Sequence, residues 1–428
     1  MLSIAIRAVL LLLALSHIGP SLAADIADPP GGSGMAAAPW PAWTQFVPGG
    51  AVEARAIVPT ERRCPTLGVS KASQEMEARG APDEAFPVKL CRAALANPSA
   101  GPVTVDGRRV KSLPRQIHRI VVIGDTGCRI EHGHAQACLD PWAWPFAAIA
   151  RRAAAMRPDL VIHVGDYYYR VEPCPADAVG CKGSPHGDNW SSWDADFFKP
   201  AAPLLAAAPW VMVRGNHELC DRGGHGWFRL LDPHAELLDC PSRTEPYALH
   251  LSNLDLYVLD SADADDFEAV PEKVATYIAQ VKSLFATTPQ HGWLVTHRPV
   301  WALTPMVGIP EGASVNATLQ AALAHQIPAG LDLVLSGHQH DFMSYGFGTV
   351  RPAQLVVGDS GDELFKLTRS IPVGVELDGM PVRQAFTSQR FGYFILDRAP
   401  DGWRGTLYAV GGGVLAHCRL KNRSLDCR

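Results

Sequence analysis

The chain has 428 residues, of which 47% are hydrophobic and 19% charged, with a formal charge of −5 and a mean hydropathy of +0.01. That balance supports a sizeable buried core and excludes both a chain disordered throughout and one that crosses a membrane many times. A slightly acidic chain offers no basic face for bulk nucleic acid, and the length points to one large domain with appendages, or to two domains.

Residues 1–23 read as a cleaved secretory signal, with Arg7 as the positive start, an unbroken apolar run at residues 8–15, and Ser21, Leu22 and Ala23 at the cleavage site. That run is far shorter than the roughly 20 apolar residues a membrane span needs. The mature protein is therefore expected to be secreted or periplasmic, where its ten cysteines would form disulfides. Connectivity cannot be deduced from sequence. Local spacing nonetheless favours Cys128 with Cys138, Cys174 with Cys181, Cys220 with Cys240 and Cys418 with Cys427, leaving Cys64 with Cys91. A thiolate metal site would call for tight CxxC pairs, and the sequence has none.

Residues 24–50, rich in Pro, Gly and Ala, are expected to be a loosely ordered lead-in. Residues 51–115 are expected to form a small accessory region, with strand character at 55–58 and a hairpin around Asp106-Gly107. The main domain is placed at 116–428, where one grammar repeats. The apolar run 120–123 ends at Gly124-Asp125, and 160–164 ends at Gly165-Asp166. Runs at 210–213, 256–259, 293–295 and 331–335 end at Gly215-Asn216-His217, Asp260-Ser261, Thr296-His297 and Gly337-His338. Helical spacing is visible at 142–156, 274–284 and 315–325, and late strands at 354–357, 391–397 and 406–410 are expected to close a second sheet. Alternating strands and helices with polar strand ends predict a layered α/β fold whose site gathers at the carboxyl edge.

Five segments deliver metal-ligating side chains just after buried strands: Asp125, Asp166 with Tyr169, Asn216 with His217, His297, and His338 with His340. Each alone is weak, since Asp after Gly is usually a turn former and a lone His more often completes a hydrogen bond. Their joint appearance is what carries weight, because carboxylate, phenol, amide and imidazole would converge on one edge.

These blocks stand in order as Gly124-Asp125-Thr126-Gly127, Gly165-Asp166-Tyr167-Tyr168-Tyr169, Gly215-Asn216-His217-Glu218, Leu294-Val295-Thr296-His297 and Gly337-His338-Gln339-His340. The arrangement resembles the calcineurin-like metallophosphoesterase superfamily, and within it the purple acid phosphatase branch. Other members of the superfamily carry His where Gly127 stands, whereas that branch uses a tyrosine three residues beyond the second Asp, the place of Tyr169. The resemblance implies an α/β fold of the four-layer αββα sandwich type, built from two mixed sheets, and a dinuclear metal centre. Asp125, Tyr169 and His340 would hold one ion, Asn216, His297 and His338 the other, and Asp166 would bridge them. Hard oxygens suit Fe(III), and imidazoles with an amide suit a divalent Fe, Zn or Mn. His217, next to a ligand and a ligand to neither ion, is the expected catalytic residue, stabilising the transition state or protonating the leaving oxygen.

The sequence departs from better-known relatives in lacking further histidines about ten residues after His297, where Thr304 and residues 305–307 stand. Arg129, Arg170, Arg298 and His225 are alternatives for gripping phosphate, weighed against ordinary surface or scaffold roles. Trp190, Trp193, Phe197, Phe198 and Pro200 read as core. The glycine-rich stretch 358–364 reads as a loop between sheets. Asn189, Asn316 and Asn422 open glycosylation sequons. The expected activity is hydrolysis of small phosphate monoesters, without bulk nucleic acid or a membrane span. A diesterase or nucleotidase using the same metals is the alternative, and a secreted metal-binding protein without turnover is the rival from another class.

Overall fold

The computed structural model describes residues 40–96, 101–236, 239–287, 289–304, 314–324, 326–365 and 373–428. The signal segment 1–23, most of the lead-in, His325 and residues 305–307 lie outside the described residues.

Seven strands come first, β1 (Ala42–Phe46), β2 (Val52–Pro59), β3 (Glu77–Arg79), β4 (Val88–Ala94), β5 (Arg119–Ile123), β6 (Leu160–His163) and β7 (Trp210–Met212), all in one sheet. The next seven, β8 (Tyr247–Leu251), β9 (Leu254–Val258), β10 (Gly292–Val295), β11 (Leu331–Ser336), β12 (Phe342–Gly346), β13 (Ala353–Val357) and β14 (Gln384–Ser388), make a second sheet. The chain then returns to the first sheet with β15 (Gly392–Ala399), β16 (Gly402–Ala409), β17 (Val414–Lys421) and β18 (Ser424–Cys427). The first sheet runs β18-β17-β16-β15-β5-β6-β7-β1-β2-β4-β3 and the second β8-β9-β10-β11-β13-β12-β14. Both are mixed, each with a parallel centre, β5-β6-β7-β1 and β9-β10-β11-β13, flanked by antiparallel strands.

Side chains alternate across each central strand, and the alternation sorts them into three cores. Ile120 and Val122 of β5 meet Trp293 and Val295 of β10 and Leu333 and Leu335 of β11 between the sheets. Val121 and Ile123 face the other way, toward α1 (Phe146–Ala155) and α2 (Lys199–Leu205). On the far side, Leu294 and Val334 pack under α4 (Pro271–Leu284) and α5 (Ala317–Leu323), where α3 is Gly224–Leu230 on the first sheet's side. Two sheets covered on both outer faces by helices are the expected αββα sandwich. Each large apolar side chain so enclosed contributes about 1.5–3 kcal/mol relative to exposure. Trp193, Phe197 and Phe198 are fully buried in this packing, with Trp190 partly buried against it.

Two expectations are corrected. The late strands at 391–397 and 406–410 do not close the second sheet. They lie in β15 and β16, and β15 pairs antiparallel with β5 through Phe394↔Val122 and Leu396↔Ile120. The free edge of β5 takes a partner whose Phe394 and Leu396 add to the inter-sheet core. The amino-terminal segment is likewise not set apart from the large sheet. β1 lies between β7 and β2, with all five of its residues buried. Gln45 Nε2 donates to Leu231 O at 2.9 Å and the buried Arg79 pairs with Asp232 at 2.9 Å, which ties β1 and β3 to the loop after α3. Only Thr66–Val69, Ala72–Glu75, Val103–Val105 and Arg108–Val110 form a separate four-stranded sheet, with the hairpin turning at Asp106-Gly107.

All ten cysteines are paired, as 64–91, 128–138, 174–181, 220–240 and 418–427. Among the described residues no helix is long and apolar enough to cross a membrane. Of the three sequon asparagines, Asn189 caps a helical turn by accepting from Ser192 N, Asn422 is exposed, and Asn316 is wholly buried.

Candidate metal centre

The carboxyl ends of β5, β6, β10 and β11 and the loop after β7 converge, and each delivers one of the expected blocks. Asp125, Asp166 and His338 turn sharply off their strands with φ of 53°, 58° and 70°. The glycines beside them are demanded by close packing. A Cβ on Gly215 would sit 2.0 Å from Asp166 Oδ1, and one on Gly337 would sit 2.4 Å from Asp125 Oδ2.

The structure brings all eight expected site residues to this edge. Asp125, Asp166 and His340 offer ligand atoms that lie within 4.8 Å of one another, and so do Asp166, His297 and His338, with Asp166 common to both groups. The Tyr169 hydroxyl lies 3.2 Å from Asp125 Oδ1, 2.9 Å from Asp166 Oδ2 and 3.1 Å from His340 Nε2. Asn216 Oδ1 is 3.0 Å from His297 Nε2, which is itself 3.2 Å from Asp166 Oδ2. Burial and the facing Asp166 push the Asp125 carboxyl well above the usual range. Two carboxylates, a phenol and imidazoles that turn their acceptors toward one enclosed space fit a pair of cations, which would relieve that repulsion.

A second set of groups, absent from the sequence reading, holds the first in place. Glu218 is wholly buried and accepts from Asp166 N, Tyr167 N and Gly215 N at 3.1, 2.8 and 2.9 Å. Asp196 accepts from Tyr169 N at 2.9 Å and Cys128 N at 3.2 Å. Asp266 Oδ2 lies 2.8 Å from His338 Nε2, Val164 O 2.8 Å from His297 Nδ1, and Glu363 O 3.0 Å from His340 Nδ1. Carboxylate or carbonyl partners on the second nitrogen fix which ring nitrogen is free for an ion. Glu218 stands in the Gly215-Asn216-His217-Glu218 block, but neither composition nor spacing reveals that its carboxylate binds four backbone N–H groups, Tyr168 N at 3.3 Å being the fourth.

His217 packs its ring on Tyr169, with centroids 3.9 Å apart. Burial and the charges of Arg222 and Arg129 hold its pKa well below the ordinary value, against the pull of Asp166. Its Nδ1 is enclosed without a hydrogen-bond partner, and its Nε2 lies 3.9 Å from Glu131 Oε2. The alternatives weighed for gripping phosphate separate clearly. Arg170 is 3% exposed and paired with Asp196. Arg298 is paired with Asp266 and lies 3.0 Å from His338 Nε2. Arg129 lies over the Tyr169 ring at 4.8 Å and is held by Asp362 and Glu131. His225 is exposed at the start of α3, its N–H donating to Asp188 at 2.9 Å. The glycine-rich loop 358–364 closes over the centre, with Asp362 N donating to Asp125 O at 2.8 Å.

Residues 118–342 match the calcineurin-like phosphoesterase family, and the chain belongs to that family of metallophosphoesterases. The fold is similar to that of the purple acid phosphatase PPD1 from yellow lupin (Lupinus luteus) seeds, at 14% identity and a TM-score of 0.58 over 90% of this chain and 73% of that one. It is also similar to PhoD, at 12% identity and a TM-score of 0.53 over 90% of this chain and 91% of that one. No curated protein sequence matches.

Proposed function

We propose that the protein is an exported phosphomonoesterase of the purple acid phosphatase type. Asp125, Tyr169 and His340 would hold an Fe(III), Asn216, His297 and His338 a divalent Fe, Zn or Mn, and Asp166 would serve both. The observation that carries this reading is the Tyr169 hydroxyl among Asp125, Asp166 and His340, in a space that Gly127 keeps open. A Cβ at residue 127 would meet the Tyr169 ring at 2.8 Å, so the place where relatives carry His is the place this tyrosine needs. Two metal ions, when bound, supply positive charge to the phosphoryl group and lower the pKa of the attacking water.

The chain's own residues then orient and protonate. Glu218 fixes the Asp166 and Asn216 loops against each other, so the two ligand groups keep their spacing. His217, pressed on Tyr169, would stabilise the transferring phosphoryl group or give a proton to the leaving oxygen. Asp266, Val164 O and Glu363 O keep three imidazoles in fixed orientation. Five disulfides and the apolar run before residue 16 support export.

Hydrolysis of p-nitrophenyl phosphate compared with its bis ester, alongside elemental analysis, tests the reading. Faster turnover of the monoester by a protein holding two metals per chain is expected. Preference for the diester, or no turnover with both metals present, would overturn it. With Fe(III) on Tyr169, the purified protein absorbs visible light and Tyr169→Phe abolishes the band. A colourless wild-type protein would refute the iron assignment.

A further inference from the structure

Among the described arginines near the centre, Arg222 leaves both terminal nitrogens to spare, whereas the wholly enclosed Arg214 spends Nε and Nη1 on Glu218 O, Pro241 O and Asp260 and leaves only a buried Nη2. Arg170 spends its guanidinium on Asp196, Arg298 on Asp266, and Arg129 on Asp362 and Glu131. Arg222 makes one ion pair, Nε to Glu131 Oε1 at 3.5 Å, and its side chain is 27% exposed. Among the described residues its Nη1 and Nη2 form no hydrogen bond. Glu131 is 4% exposed and faces four cationic or titratable partners: Arg222, Arg129 at 3.3 Å, His217 at 3.9 Å and the exposed His132 at 4.0 Å. Each arginine also sits beside a disulfide. Arg129 and Glu131 follow Cys128, bonded to Cys138, and Arg222 follows Cys220, bonded to Cys240. A buried carboxylate held between two tethered loops thus joins Arg222, through one oxygen, to His217, through the other, and leaves the Nη1 and Nη2 fork of Arg222 uncommitted.

We infer that Arg222 is the phosphate anchor of this centre and the residue that makes it favour monoesters, with Glu131 as its positioning residue. The chemistry follows from the shape of the group. A monoester dianion offers three terminal oxygens, so a planar fork can take two of them while the rest face the metal side. A diester has one fewer terminal oxygen and one less charge, and gains little from the same fork. Arg222 thereby stands in for histidines that the stretch after His297 does not supply. This inference rests on the hydrolase reading above and sharpens its substrate class.

The test uses the full-length, metal-containing protein and four variants, Arg222→Gln, Arg222→Lys, Glu131→Gln and the double variant Glu131→Gln with Arg222→Gln. Kinetics on p-nitrophenyl phosphate and its bis ester are paired with the Kd of inorganic phosphate by titration calorimetry, with metal content and circular dichroism checked in each. Arg222→Gln is expected to raise the monoester KM and the phosphate Kd by roughly tenfold to a hundredfold, the worth of a charge-assisted hydrogen bond. Its diester kinetics should change by less than about threefold, and Arg222→Lys should fall between, since it keeps charge without the fork. Glu131→Gln should raise the phosphate Kd in wild type but add nothing in the Arg222→Gln background. Equal losses on both esters, or an unchanged phosphate Kd in correctly folded Arg222→Gln, would overturn the anchor. Should wild type hydrolyse neither ester while Arg222→Gln still loses phosphate binding, the hydrolase reading falls and the anchor stands.

Discussion

Asp125, Asp166 and His338 all occupy the left-handed backbone region, where a non-glycine residue costs of order 1–3 kcal/mol. Three such residues at one place mark a geometry that the surrounding packing enforces. Asp166→Asn keeps shape and backbone preference but removes the shared charge, and turnover should fall by roughly 10²–10³-fold or more with the fold intact. Rates and melting curves on the same sample check this. A second residue-scale effect concerns stability. Asp359 is wholly buried, neither carboxylate oxygen meets a hydrogen-bond partner among the described residues, and burial raises its pKa from 3.8 to about 7. Because the folded value exceeds the unfolded one, the protein is penalised only where Asp359 must ionise. Its contribution is intact below about pH 4 and is lost as pH rises toward 7, by at most about 4 kcal/mol. Asp359→Asn should therefore flatten the decline in denaturation midpoint between pH 4 and 7, and an unchanged slope would refute this account. The ligand-bearing edge was legible because each such residue directly follows an apolar strand. The carboxylates around it were not, since Asp196 reaches Tyr169 from 27 residues away and Asp266 reaches His338 from 72.

At the scale of elements, the loops after β5 and β7 carry both chemistry and cross-links. The 220–240 bridge spans a sequence separation of 20, so removing it by Cys220→Ser with Cys240→Ser should lower stability by about 3 kcal/mol. The same change should weaken phosphate binding more than metal binding, since Arg222 sits two residues from Cys220 while Asn216 is held independently through Glu218 and Gly215. Calorimetry with phosphate and metal analysis of one preparation check this. The helices and strands themselves were readable, as 120–123, 160–164, 210–213 and 331–335 became β5, β6, β7 and β11. Their assignment to sheets was not. Residues 391–397 have the same apolar alternation whichever sheet they join, and the choice is made by the open edge of β5, a long-range pairing that no local pattern records.

Over the whole molecule, the position of β1 decides what counts as a foldable unit. It is inserted between β7 and β2 rather than added at an edge, and the first sheet continues through β2, β4 and β3. A fragment of residues 116–428 would expose the flank of β7 and strand Leu230 O and Leu231 O, the acceptors of Arg55 and Gln45. Such a fragment should be insoluble or lack a cooperative thermal transition, whereas a chain beginning near residue 40 should melt as a single unit, which calorimetry checks. Ten paired cysteines fit folding in an oxidising compartment.

The buried Asn316 gives the fold a biosynthetic constraint. Its Nδ2 donates to Asp266 Oδ1 at 2.9 Å, and the other oxygen of Asp266 steadies His338. A host that attaches sugar to this sequon during translocation would block the side chain before it closes on Asp266, so each modified chain would be lost to misfolding with its metal site incomplete. The yield from a glycosylating host would then be set by a race between the transferase and the collapse of the segment around Asn316. A host without that machinery would run no such race.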